Sequence, residues 1–146
     1  MSGPSSPGDA LEAAVRALRA RDRTAASLDA RLDRRGVGAQ ERAETVARLQ
    51  ELGYVDDARF ANARADALAA RGAGNLLIAD DLERQGVPGP LAAAAIAAIE
   101  PELTRALTIV GTRGRGPKTA RYLASRGFAE DVVEAAVATT EREALG

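Results

Sequence analysis

Neither cysteine nor histidine occurs anywhere in the 146 residues. Without cysteine there is no disulfide, no thiolate metal site and no thiol nucleophile. Without histidine the commonest general base and the commonest metal ligand are missing, and no Ser-His-Asp arrangement can form. Tryptophan is absent as well, and two Tyr and two Phe bring the aromatics to only 3%. Nothing here resembles the aromatic platform on which single-strand binders stack bases. Beta-branched and aromatic runs of the strand type are also lacking. No stretch approaches the roughly 20 apolar residues of a membrane span. Met1 to Gly8 lacks the basic and apolar regions of a signal peptide and reads as a flexible tail, so a cytoplasmic protein is expected.

What remains is aliphatic and charged. Hydrophobic residues make up 46%, too many for a disordered chain, and Ala, Leu and Val must supply the core. Alanine has the best helix propensity, and small side chains let helices approach closely. The fold class is therefore all-α. Net charge is −1, but the charges are segregated. Residues 103–128 carry six bases (Arg105, Arg113, Arg115, Lys118, Arg121, Arg126) and no acid, whereas residues 51–102 carry nine acids against four bases.

One pattern recurs three times: a Leu, three residues, a Gly, an apolar residue. It covers Leu32 to Val37, Leu82 to Val87 and Leu123 to Phe128, with the glycines (Gly36, Gly86, Gly127) spaced 50 and then 41 residues apart. A helix that ends on a left-handed Gly brings the Leu and the following apolar residue into contact, the signature of a Schellman cap. Apolar residues then return at matching offsets: Val46 and Leu49 follow Val37 by 9 and 12, Ile96 and Ile99 follow Val87 likewise, and Val137 follows Phe128 by 9. A helical pattern also precedes each cap, which gives nine helices in three triplets. Asp9 and Glu12 form a variant capping box, while Pro90, Pro101 and Pro117 sit where helices open. The organisation predicted is a tail over 1–9, repeats over 10–55, 56–100 and 101–141, and a C-terminal tail over 142–146. Such repeats touch mainly their neighbours, so an elongated, curved helical array of right-handed type is expected.

Few residues offer chemistry. Arg113-Gly-Arg115-Gly-Pro-Lys118 is a glycine-interrupted basic loop opening a helix, with Arg121 about one turn on. Backbone N–H groups at a helix start plus nearby cations suit a phosphate or carboxylate. The segment is neither a Walker loop nor a Rossmann turn. A solvated connector explains it equally. Arg31, Arg34 and Arg35, with Arg16, Arg19, Arg21 and Arg23 upstream, form a second cluster; the interleaved Asp22, Asp29 and Asp33 make a mixed solvent face the simplest reading. Asp56-Asp57 reads as a helix N-cap and Asp80-Asp81 as a solvated mid-helix pair, with no calcium-loop spacing at either. Tyr54, Phe60, Tyr122 and Phe128 read as core anchors of successive repeats. No catalytic residue, metal site or cofactor is expected.

Leu52-Gly53-Tyr54-Val55-Asp56-Asp57-Ala58-Arg59-Phe60-Ala61 resembles the hallmark step of the bacterial regulatory protein RecX family, in which Gly53, Tyr54, Asp56, Asp57 and Phe60 are the matching positions. The three Leu-to-Gly-apolar units and Arg71-Gly72-Ala73-Gly74 match as well, so the resemblance covers about residues 11–138. It implies a monomeric, non-enzymatic modulator of the RecA recombinase: a curved helical array lying in the groove of the filament on single-stranded DNA. Family members inhibit ATPase, strand exchange and co-protease activity, which ties them to homologous recombination, DNA repair and the SOS response. The chain departs from the family pattern at Asn75 to Asp81, apolar then acidic where relatives carry a basic cluster, and at Glu41 and Arg42, polar where relatives bury apolar residues. DNA contact then falls mainly to the third repeat and secondly to the first, through Arg113, Arg115, Lys118, Arg121 and Arg126 with Arg31, Arg34 and Arg35. Neither a membrane nor a small-molecule substrate is expected. The rival reading is a helical-repeat scaffold that binds a protein partner without DNA or recombinase.

Overall fold

The computed structural model describes residues 7–139. Among them lie nine α-helices and no strand: α1 (Pro7–Ala20), α2 (Ala25–Arg34), α3 (Ala39–Glu51), α4 (Asp57–Ala70), α5 (Asn75–Arg84), α6 (Gly89–Ala98), α7 (Glu102–Arg113), α8 (Pro117–Ser125) and α9 (Glu130–Ala138). Residues 1–6 of the expected N-terminal tail, and 142–146 of the C-terminal one, lie outside the described residues. Residues 7–9 belong to α1 rather than to a tail, and Asp9 falls within its first turn. A proline needs no N–H partner there, so it opens the helix without penalty.

Packing closes in threes: α1 with α2 and α3, α4 with α5 and α6, α7 with α8 and α9. Each triplet has its own core. In the first, Leu28, Leu32, Val46 and Leu49 lie under Ala10, Ala14 and Ala17 of α1, which recur at helical spacing on one face. The second is built on Ala61, Ala65, Ile78, Leu82 and Val87, with Phe60 packed against it, and the third on Ala106, Val110, Leu123, Phe128 and Val133. A fully buried leucine such as Leu123 contributes about 1.5–3 kcal/mol relative to an exposed one. Tyr54 is not a core anchor, being 62% exposed. It follows the left-handed Gly53 (φ +79°), and the chain rejoins the core one residue later, at the buried Val55.

The three repeated Leu-to-Gly units form the caps their spacing predicts. Val37 N–H donates to Leu32 O at 3.1 Å, Val87 N–H to Leu82 O at 3.0 Å and Phe128 N–H to Leu123 O at 3.1 Å, each with a second bond from the glycine N–H. The glycines stand at φ +84°, +83° and +86°. The same hydrogen-bond pair recurs at two further helix ends, from Gly53 and Tyr54 onto α3 and from Gly72 and Ala73 onto α4.

These caps also join the units. The start of α5 sits on the end of α8: Gly74 N–H donates to Arg126 O (2.8 Å) and Leu76 N–H to Gly127 O (3.0 Å). The start of α2 sits on the end of α5: the Thr24 hydroxyl donates to Gln85 O at 2.6 Å while accepting from Ser27 N–H. Asp57, the first residue of α4, accepts from Ala25 N–H at 2.8 Å. The three middle helices thus run head to tail, α8 into α5 into α2. At the first junction backbone carbonyls of α8 satisfy orphan amides of α5, and at the second the Gln85 carbonyl takes the Thr24 hydroxyl while Asp57 takes the Ala25 amide. Approach is close enough to require glycine. A Cβ on Gly74 would lie 2.4 Å from the Gly127 carbonyl carbon, and one on Gly86 2.7 Å from Ala26 Cβ.

Candidate functional site

The head-to-tail run leaves two middle-helix ends facing outward: the N-terminus of α8 and the C-terminus of α2. Each carries one of the basic clusters picked out in the sequence.

At the α8 end, α7 stops at Gly114, whose φ of +91° breaks the helix, and Gly116 opens α8 without a side-chain cap. Residues 111–118 are exposed throughout. The Arg113 guanidinium lies over the Tyr122 ring, 3.5 Å from its centroid. Tyr122 is half-buried and works as the bed for this cation, which holds Arg113 on the α8 face. Arg115 donates to Thr139 O at 2.8 Å, tying the loop to the end of α9. Lys118 and Arg121, one turn apart on α8, are exposed and have no ion pair among the described residues. The helix dipole adds partial positive charge at this end.

Arg126 and Arg105 of the same basic run do not join this group. Arg126 is half-buried at the opposite end of α8 and donates to Arg71 O at 3.2 Å, a link between units. Arg105 donates to Glu100 O (2.8 Å), Ala73 O (2.7 Å) and the Asn75 side chain, and lies 5.8 Å from the Phe128 ring centroid. Burial pushes its guanidinium down from the ordinary value, and Glu102 and Glu100 oppose that push. Its work is to hold the second unit to the third.

At the α2 end, Arg34 and Arg35 are exposed and Arg31 is half-buried, none with an ion pair among the described residues. The interleaved acids are not an idle solvent face. Asp29 and Asp33 turn to Arg42 of α3, at 2.9 Å and 3.2 Å, and Arg42 also donates to Val37 O at 2.7 Å. Arg42 is thereby satisfied where an apolar residue would otherwise pack, and two carboxylates are withdrawn from the neighbouring arginines. The positive field shows in Arg23: burial first, then Arg21, Arg31 and Arg34, lower its guanidinium from the ordinary value. Arg23 is itself anchored, donating to Ala17 O at 3.2 Å. It is buried, so it adds to the positive field of this end without offering a contact.

Between the two ends most of the charge is negative or paired, Arg71 being an exposed exception. Asp56 caps α4 by accepting from Arg59 N–H at 3.0 Å. Asp81 is not solvated: it is buried, and Arg64 of α4 grips both its oxygens at 2.7 and 2.9 Å. Asp80 is exposed and pairs with Arg84 at 3.0 Å. Among the described residues no group of three His, Cys, Asp or Glu is placed to hold a metal ion, and no helix is long and apolar enough to cross a membrane. What the arrangement supplies is two cationic surfaces on a stiff helical frame, suited to binding a polyanion or an acidic protein face.

Comparison with known proteins follows the same line. No family model matches the chain. The regulatory protein RecX of Deinococcus radiodurans is 35% identical over 138 residues, covering 87% of this chain and 66% of that protein. That of Trichlorobacter lovleyi is 30% identical over 148 residues, covering 91% and 96%, and that of Chromohalobacter salexigens 34% identical over 134 residues, covering 86% and 88%. The crystal structure of RecX from Lactobacillus salivarius superposes with a TM-score of 0.80 at 16% identity, over 96% of this chain and 97% of that one. A second crystal structure of a regulatory protein RecX gives 0.75 at 17% identity, over 88% and 71%.

Proposed function

The chain belongs to the RecX family of regulatory proteins, and from that premise we propose that it binds the RecA filament on single-stranded DNA and restrains its ATPase, strand-exchange and co-protease activities. The observation that carries the reading is the exposure of Arg113, Arg115, Lys118 and Arg121 at one outward end of the helix run and of Arg34 and Arg35 at the other. A polymer of protein and nucleic acid offers phosphates at repeated intervals, and two separated cationic surfaces on one frame engage it at two places. The three helix triplets then act as one frame, with the first and third making contact. Regulation follows from clamping neighbouring protomers, without chemistry by the bound protein.

The test is the rate of ATP hydrolysis by RecA on single-stranded DNA as this protein is titrated in. Suppression well below equal concentrations is the expected result. The double variant Arg115→Glu, Lys118→Glu should require about 100-fold more protein for the same suppression, since two phosphate contacts become repulsions and one of two points of attachment is lost. Full suppression by the double variant at wild-type concentrations would remove the α8 end from the interface. The rival, a scaffold for a protein partner alone, predicts no effect on hydrolysis.

A further inference from the structure

Between α5 and α6 runs a groove of about 850 Å³ that neither basic end touches. Its walls are apolar: Leu76 and Ala79 from α5, and Ala93, Ile96 and Ala97 from α6. Leu76 is 62% exposed, an unusual cost for a leucine on a middle helix. The ten residues of α6, from Gly89 to Ala98, carry no charged side chain at all. Three carboxylates, Glu83, Glu100 and Glu102, stand around this apolar surface. Glu102 also accepts from Asn75 N–H at 2.5 Å, and the other two acids between residues 72 and 104 are paired with arginines, Asp80 with Arg84 and Asp81 with Arg64. Arg105 offsets part of the charge of Glu102 and Glu100, but the rim stays acidic.

We propose that this groove is the docking site for an amphipathic helical segment of a partner protein whose apolar face is flanked by Lys or Arg. Three features choose that occupant. The walls are helices whose main-chain groups are internally bonded, so an extended peptide finds no backbone partners and the guest must satisfy its own as a helix. Ala93 and Ala97, one turn apart and exposed, leave room for its side chains, while Leu76 supplies a knob. The acidic rim attracts cationic flanks and repels phosphate. The groove therefore takes protein, independently of the polyanion contacts proposed for the α8 and α2 ends, and it stands or falls separately from them.

The experiment is fluorescence anisotropy on the full chain with a labelled 14-residue helical peptide of leucine face and lysine flanks, beside the same peptide with glutamate flanks. The lysine peptide should bind at least tenfold more tightly, and added salt should shrink that ratio. Ala93→Arg and Ala97→Arg, both at exposed positions, should each cut its affinity at least tenfold while the circular dichroism of the chain is unchanged. Glu83→Gln with Glu100→Gln should lower it about threefold without blocking the groove. Equal binding of the two peptides, or undiminished binding by the arginine variants, would overturn the proposal. So would self-association in sedimentation that Ala93→Arg abolishes, because the groove would then serve a second copy of this chain.

Discussion

At the scale of single residues, the chain spends many of its charges on structure, and Asp81 is the clearest case. Its side chain is 13% exposed and held by both guanidinium contacts of Arg64. The hydrogen bonds from Arg64, reinforced by its charge and that of Arg84, hold the carboxyl below its ordinary value against the opposing effect of burial. A carboxyl depressed in the folded state stabilises the fold above its unfolded pKa of about 3.9, and that contribution is lost as pH falls through the lower folded value. Asp81→Asn should therefore cost about 1–3 kcal/mol at pH 7, the smaller end reflecting the partial exposure of Arg64. In thermal melts the deficit should be about 2–12 °C at neutral pH, at roughly 2–4 °C per kcal/mol for a chain of this size, and should narrow below pH 4. A deficit constant with pH would mean that packing, not ionisation, is at stake. Sequence could not foresee this pair. Asp81 sits beside Asp80 on a helix, and its partner lies 17 residues upstream on another, so no local spacing announces it. The cap at Asp56 was legible because its donor, Arg59 N–H, is three residues away.

At the scale of helices, the ends carry more specificity than the middles. The repeated caps could be read from sequence because Leu, Gly and the next apolar residue lie within six positions. The junctions could not, because Gly74 and Arg126 meet through backbone atoms 52 residues apart in sequence. Gly36 and Gly127 separate the two roles. Both have φ near +85°, yet a Cβ on Gly36 meets nothing within 4 Å, whereas one on Gly127 would lie 2.6 Å from both the Cβ and the amide nitrogen of Leu77. Gly36→Ala should cost only the left-handed penalty, about 1 kcal/mol. Gly127→Ala pays that and must also push α5 off the end of α8. Denaturant titration should show the larger loss for Gly127→Ala. Hydrogen exchange should show faster exchange at the Gly74 and Leu76 amides in that variant alone. Equal losses with unchanged exchange would mean that the two units are not held by this contact.

At the scale of the whole molecule, the question is whether the basic ends act together. The fold class and the array of triplets were readable from the period of Leu, Gly and Ala. The pairing of the ends was not, since it depends on α8, α5 and α2 running head to tail, a relation no single repeat contains. That geometry makes bridging testable. If one protein engages a filament at both ends, the second contact forms at a high effective concentration, and losing either end forfeits most of the avidity, typically 100-fold or more. Arg34→Glu with Arg35→Glu should then weaken filament binding about as much as Arg115→Glu with Lys118→Glu. Combining all four should abolish the binding that either pair leaves, because each pair alone still keeps the single-ended contact of the other. The log–log salt slope should fall by about 0.7 for each single-strand phosphate contact removed. Independent sites behave otherwise: each pair would remove its own binding event, so the saturating amount of protein per recombinase would change while the affinity of the surviving site would not. Binding isotherms of the four proteins at two salt concentrations decide between a clamp that spans protomers and two surfaces that merely share a chain.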